Sequence, residues 1–292
     1  MRNHFIKNLV TKAKKNKKIF LLVGDLGFSV VEEFADTYPD RFLNVGIAEQ
    51  NMMGLAAGLA SEGMHVFVYS IANFPTFRCA EQIRNDVDYH NLPVTIVSIG
   101  GGFSYGNLGY SHHAIQDYGL LRLMPNMMIC SPGDLNETTN VLEYILDNPQ
   151  PSYIRLDKSF NENLRSKCPK ITPGKWILFR ESNSKKVILT TGNTLRFHDR
   201  ITKMNEFKNY SIYSLPIWGH KFKNTQTKML KKFNNIVTIE DHLLDAGFGS
   251  WVKECTSLNL NPKIRNIGLS SKYISHVGNQ DYLNKKSGLF FV

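Results

Sequence analysis

Apolar residues recur along the chain in two alternating rhythms. Phe5, Ile6, Leu9, Val10 and Ala13 fall three and four apart with lysines between them, which predicts an amphipathic helix. An unbroken apolar run follows at 19–24 and ends in a Gly/Asp turn, the pattern of a buried strand. The alternation continues with strands at 42–45, 65–70, 94–100, 127–131 and 152–156. Helices are expected at 49–62, 76–89 and 134–147, the first of them rich in Ala, Gly and Met and so suited to close packing. Residues 158–185 break the rhythm. They are dense in Asn, Lys, Pro and Ser, with Pro169, Pro173 and Gly174, and read as a linker. A second alternation follows, with strands at 187–192, 211–215, 236–240 and 263–267 and helices near 194–207, 224–234 and 247–258. Short strands alternating with helices predict parallel sheets covered on both faces. The expected fold is therefore α/β, with two doubly wound, mostly parallel-sheet domains at 1–160 and 185–292 and a linker at 161–184.

A chain of 292 residues is long enough for such a pair. Lys plus Arg is 35 and Asp plus Glu is 25, giving a net charge of +10. That charge would suit a polyanionic or phosphorylated partner. It is spread along the chain, however, and reads as a solvated surface, with no nucleic-acid module or basic stripe. No apolar run approaches the roughly 20 residues of a membrane span. The run at 19–23 is too short for a signal-peptide core. Cys79, Cys130, Cys168 and Cys255 are far apart, with no CxxC pair. They read as buried thiols of a cytoplasmic protein, not as a zinc site or disulfide framework.

In open α/β sheets, ligands bind outside the carboxyl ends of the strands. In the first half those ends carry VGDLG (23–27), VGIAEQN (45–51), YSIANFPTFR (69–78) and GGGFSYGNLGYSHH (100–113). Each supports two readings. Glu49, at a helix start, is either a carboxylate favoured by the helix dipole or one aimed at a ligand. Phe74 and Phe77 are core residues or a platform for a flat heterocycle. The glycines at 100–102, 106 and 109 match neither GxxxxGK[ST] nor GxGxxG. They suit a plain surface loop or a mobile loop at the mouth of a site. His112 and His113 are an inert exposed pair or functional groups. Adjacent residues seldom ligate one metal and no third ligand is near, so no metal site is assigned to this chain.

The order of these segments is more specific than any one of them. GIAEQN, then FPTFR, then GYSHH resembles the transketolase family, in particular its pyrimidine-binding domain followed by its C-terminal domain. GIAEQNMMGLAAGLASEGMHVFV is similar to the stretch around the essential glutamate of transketolases and 1-deoxyxylulose-5-phosphate synthases. LLRLMPNMMICSPGD and IVTIEDHLLDAGFGSWV resemble later segments of the family, so the likeness covers nearly the whole chain. It implies a thiamine diphosphate enzyme. Glu49 would hydrogen-bond N1′ of the aminopyrimidine, and that shared proton would make the exocyclic amine a base for the C2 proton, with the cofactor as electron sink. Phe74 would stack on the pyrimidine, with Phe77 beside it. Asp25 and Leu26 match a loop near the cofactor. His112 would contact substrate and move protons, and Arg155 would hold a substrate phosphate.

Departures from the family pattern shape the rest of the expectation. Leu108 stands where the family has an aspartate that recognises a sugar hydroxyl, which points away from the usual pentose and hexose phosphates. Tyr110 and Ser111 replace Pro and Thr, and the segment before Phe74 is about three residues longer. The family's GDG motif and downstream Asn, which bind the diphosphate and its divalent cation (Mg²⁺ or Ca²⁺), have no counterpart, because GDL (24–26) lies at the wrong place. The resemblance therefore implies one subunit of a split transketolase, transferring a two-carbon ketol unit between sugars. A separate N-terminal, diphosphate-binding subunit would complete an α2β2 assembly. Alone, the chain should be inactive and could form a homodimer. Two alternatives stay open: a non-catalytic α/β subunit, and the β subunit of a 2-oxo acid dehydrogenase.

Overall fold

The computed structural model describes residues 1–256 and 262–291. Among them, twelve strands form two sheets. The strands are β1 (Ile19–Val23), β2 (Phe42–Asn44), β3 (His65–Ile71), β4 (Val94–Ile99), β5 (Met128–Cys130), β6 (Ser152–Leu156), β7 (Ile177–Arg180), β8 (Lys186–Thr190), β9 (Ser211–Ser214), β10 (Ile217–Trp218), β11 (Asn235–Leu243) and β12 (Lys263–Leu269). The larger sheet has the order β10-β5-β6-β4-β3-β1-β2 and the smaller β12-β11-β8-β9-β7. All pairings are parallel except β10 with β5 and β7 with β9. The mixed α/β fold with two mostly parallel sheets is thus the one the alternation predicts.

Sequence explains the elements that build the larger sheet's layers. The helix Arg2–Lys15 buries Phe5, Ile6, Leu9 and Ala13, and three lysines in its last turn face the negative end of its dipole. The helix Glu49–Ser61 buries Met52, Met53, Ala56, Ala57 and Ala60, and the small alanines let it lie close on β3. The helix Leu135–Asp147 is started by Asp134, whose carboxylate accepts the Glu137 N–H at 2.8 Å. Sheet growth reverses at β1, with β2 on one side and β3 then β4 on the other. That reversal is a switch point, and the carboxyl ends of β1, β2 and β3 open there.

Several expectations need correction. The linker contains β7: Ile177 is buried and Leu178 exposed, an edge-strand alternation hidden between Pro173-Gly174 and a Ser/Asn cluster. The helix expected at 76–89 is broken into Phe74–Phe77, Ala80–Gln82 and a π-helical turn at Ile83–Asp88. Residues 194–207 give a 3₁₀ stretch, Gly192–Phe197, and a short helix, His198–Lys203. Only Thr227–Leu230 of 224–234 is helical. The helix expected at 247–258 is described over Phe248–Glu254, and residues 257 and 258 lie outside the described residues. No described helix is long and apolar enough to cross a membrane.

The two sheets share their cores. Phe103 and Ile115, from the first half, pack with Ile188, Ile239 and Leu283. Val187, Trp218 and Trp251, from the second half, join the cluster around Met52 and Tyr153.

Candidate active site

The turn after β1 is clamped to the end of β2. Asp25 adopts a left-handed φ of 56°, a conformation its short polar side chain tolerates. Its N–H donates to Asn44 Oδ1 at 3.0 Å, and Asn44 Nδ2 donates back to Asp25 Oδ1 at 3.0 Å. The Gly46 N–H also reaches Asn44 Oδ1 at 3.0 Å. Gly27 has φ 92°, and a Cβ there would come within 2.9 Å of Tyr69 and Val31. A Cβ on Gly24 would lie 3.8 Å from Glu49 Oε1, so this turn borders that carboxylate. Asp25 and Leu26 are half-buried beside it.

Glu49 is the first residue of its helix and only 3% exposed. A carboxylate so deeply buried requires a partner. Arg78 supplies it, with Nη1 2.9 Å from each carboxylate oxygen. Arg78 follows the helical turn Phe74–Phe77 at the end of β3, and its guanidinium carbon lies 4.0 Å from the centroid of the Phe74 ring. Phe77 turns outward and is 47% exposed.

The loop after β4 brings His112 to the same place. Gly102 and Ala114 pair across the loop's base, and His113 is buried against the Phe103 ring at 4.8 Å. Asn73 Nδ2 donates to the His113 carbonyl at 2.7 Å, tying the loop to the end of β3, while the buried Asn73 Oδ1 has no partner among the described residues. The His112 ring meets Phe74 edge-on at 5.2 Å, and its Nδ1 lies 3.0 Å from Ser111 Oγ. Burial, then the charges of Arg78 and His113, hold the His112 imidazole below its usual pKa, so it is neutral near pH 7. Phe74, Phe77, Arg78, Tyr110, Ser111 and Gln116 line an open pocket of about 410 Å³. Arg78 also borders a second pocket of about 490 Å³ alongside Ile47 and Glu49. Leu108 is exposed on the preceding turn.

The structure therefore brings Glu49, Phe74, Phe77 and His112 together, and Asp25 and Leu26 follow Gly24 in the turn that borders Glu49. Arg155 stands apart from this group. Its guanidinium is buried, with Nε 2.8 Å from Asp117 Oδ2 and Nη1 2.5 Å from Asp241 Oδ1. Nη2 donates to the carbonyls of Ala114 at 2.6 Å and Asp241 at 3.1 Å. In this structure these groups of the chain itself surround the guanidinium. Sequence reasoning gave no role to Arg78 or Asn73. For Arg78 the signal was present: Phe74 and Arg78 are four apart, the spacing that stacks side chains on one helical face. Among the described residues, no group of three or more His, Cys, Asp or Glu side chains could hold a metal ion.

A buried carboxylate and an open aromatic face thus stand together at the switch point of a doubly wound sheet, where open α/β sheets take their ligands. The family model for the transketolase pyrimidine-binding domain matches residues 1–162, and the chain belongs to the transketolase family. It is 33% identical to a Methanocaldococcus jannaschii protein named as a candidate transketolase C-terminal section, over 99% of this chain and 92% of that one. It is 30% identical to one of the apulose-4-phosphate transketolase subunits of Phocaeicola vulgatus, over 99% and 93%. Among solved structures it matches a split-gene transketolase described as an inactive β4 tetramer. The TM-score is 0.85 and the identity 30%, covering 99% of this chain and 93% of that one.

Proposed function

We propose that this chain is the pyrimidine-binding subunit of a thiamine diphosphate-dependent split transketolase. The enzyme would move a two-carbon ketol unit from a ketose donor to an aldehyde acceptor, breaking one carbon–carbon bond and forming another. One observation carries this reading: Glu49 and Phe74 converge on a single planar group, the Arg78 guanidinium, one by hydrogen bonds to Nη1 and the other by its ring face. An aminopyrimidine needs that same pair of contacts. The residues therefore fit the pyrimidine half of the cofactor.

When bound, thiamine diphosphate supplies the nucleophilic carbon and electron sink that ketol transfer requires. Glu49 shares a proton with N1′. Phe74 stacks on the ring, and Asp25 and Leu26 shape the turn beside it. Phe77 and Tyr110 form the apolar mouth. His112, neutral and next to that mouth, contacts the sugar and moves a proton at its hydroxyl. The diphosphate and its Mg²⁺ or Ca²⁺ belong to a separate N-terminal subunit in an α2β2 assembly. The full-length match to a protein that is itself named as a transketolase subunit supports that division of labour. The inactive tetramer of the structural relative supports self-association and inactivity of the isolated chain. We keep 1–160 and 185–292 as the working domains, with 161–184 joining them and supplying β7.

The test is calorimetric titration of thiamine diphosphate and Mg²⁺ into this chain alone and into its mixture with the diphosphate-binding subunit. Tight binding in the mixture alone, with ketol transfer lost in Glu49→Ala, is the expected result. No binding by a confirmed complex would overturn the assignment.

A further inference from the structure

We infer that Arg78 is an internal occupant of the heterocycle site, one that the cofactor must displace in order to bind. The inference rests on the reading of Glu49 and Phe74 given above and adds a competitor to it. The guanidinium is planar, meets both oxygens of Glu49 through Nη1 at 2.9 Å, and lies over Phe74 with its carbon 4.0 Å from the ring centroid. Two planar groups cannot share one face of a ring, and the guanidinium covers the face of Phe74 that the heterocycle would need. Phe74 is further confined by the edge of His112 at 5.2 Å.

The contact is built to be released. Glu49 is 3% exposed, whereas the Arg78 side chain is 46% exposed and borders two open pockets. It has somewhere to go, and water to receive its charge. In the empty chain it compensates a carboxylate that burial would otherwise leave unpaired. The arriving heterocycle takes over that task and frees the arginine. An arginine suits this better than a lysine, because its flat guanidinium can stack and donate at once.

The test uses the full chain and hydroxymethylpyrimidine, the free aminopyrimidine moiety of thiamine, followed by ligand-observed NMR. Wild type is compared with Arg78→Ala, Arg78→Gln, Glu49→Gln and the pairings of Glu49→Gln with each arginine change. Arg78→Ala is expected to bind about tenfold more tightly than wild type, the effect of no longer breaking a half-exposed ion pair and a cation–π contact. Arg78→Gln leaves Glu49 a donor and removes the charge. It should also tighten binding, and it carries the test if Arg78→Ala does not fold. Affinity at or below wild type in the folded arginine variants, with Glu49→Gln still weakening binding, overturns the competitor and leaves the site standing. Binding indifferent to Glu49, or no binding by any form, overturns the site reading and the competitor with it.

Discussion

Arg155 and Asp241 meet at 2.5 Å although one lies in β6 of the larger sheet and the other in β11 of the smaller. Asp117 closes the network at 2.8 Å from Arg155 Nε, and the Tyr153 hydroxyl donates to Asp117. Burial works against the guanidinium charge, but the two aspartates outweigh it. This is a joint between the halves of the chain. Replacing Arg155 with Met strands two buried carboxylates, and removing one partner from a buried pair costs about 3–5 kcal/mol. Urea unfolding followed by tryptophan fluorescence measures it. A loss below about 1 kcal/mol, the value for an exposed pair, would remove the joint from the account.

Glu49→Gln keeps the side chain's shape and removes its charge. The Arg78 it leaves behind is half exposed, so thermal stability should change little. Ketol transfer by the reconstituted complex should fall by about 10²-fold or more, the range for loss of a positioned proton-transfer group. Steady-state rates beside a melting curve separate the two effects, and a rate within about threefold of wild type, below the weakest effect of that kind, would sink the proton-sharing role.

Phe74→Ala removes the stacking face. Cofactor affinity should weaken by about 0.5–1.5 kcal/mol, the worth of an aromatic contact. Phe77→Ala should do less, because that ring is half exposed and makes no stack with Arg78. Equal losses at the two positions, measured by calorimetry on the complex, would mean that the platform has been misplaced.

Glu240 makes stability depend on pH. Its carboxylate is fully buried, and desolvation raises its pKa to about 8, against the pull of the Phe248 and Gly249 N–H groups it accepts at 2.5 and 2.8 Å. Between the unfolded value of about 4.5 and the folded value, the native chain holds a proton that the unfolded chain releases. This group's contribution therefore falls as pH rises from about 5 to 8. Glu240→Gln should flatten the curve of unfolding free energy in that window. Parallel curves for the two proteins would show that the carboxyl titrates normally.

The sequence made Glu49 and Phe74 legible because each lies in a short local motif at a strand end, where topology alone brings the segments together. The helix Arg2–Lys15 was legible because its apolar stripe is unbroken. The pairing of Arg155 with Asp241 was not legible, because the two lie far apart along the chain and only the fold places them side by side. β7 was hidden because its four residues sit between turn formers on both sides. Asn73 gave no signal, because its value lies in a carbonyl, that of His113, which only the folded loop presents.

β10 has a consequence for how the molecule can be divided. Ile217 and Trp218 pair with Cys130 and Ile129, and so the second half of the chain covers the outer edge of β5 in the larger sheet. A fragment ending near residue 162, where the pyrimidine-binding family model ends, would bare that strand's hydrogen-bonding row and its apolar neighbours. Bare edges of this kind recruit other strands. Such a fragment would aggregate or swap segments with its copies. In this chain the second half acts as a solubility guard for the half that carries the site.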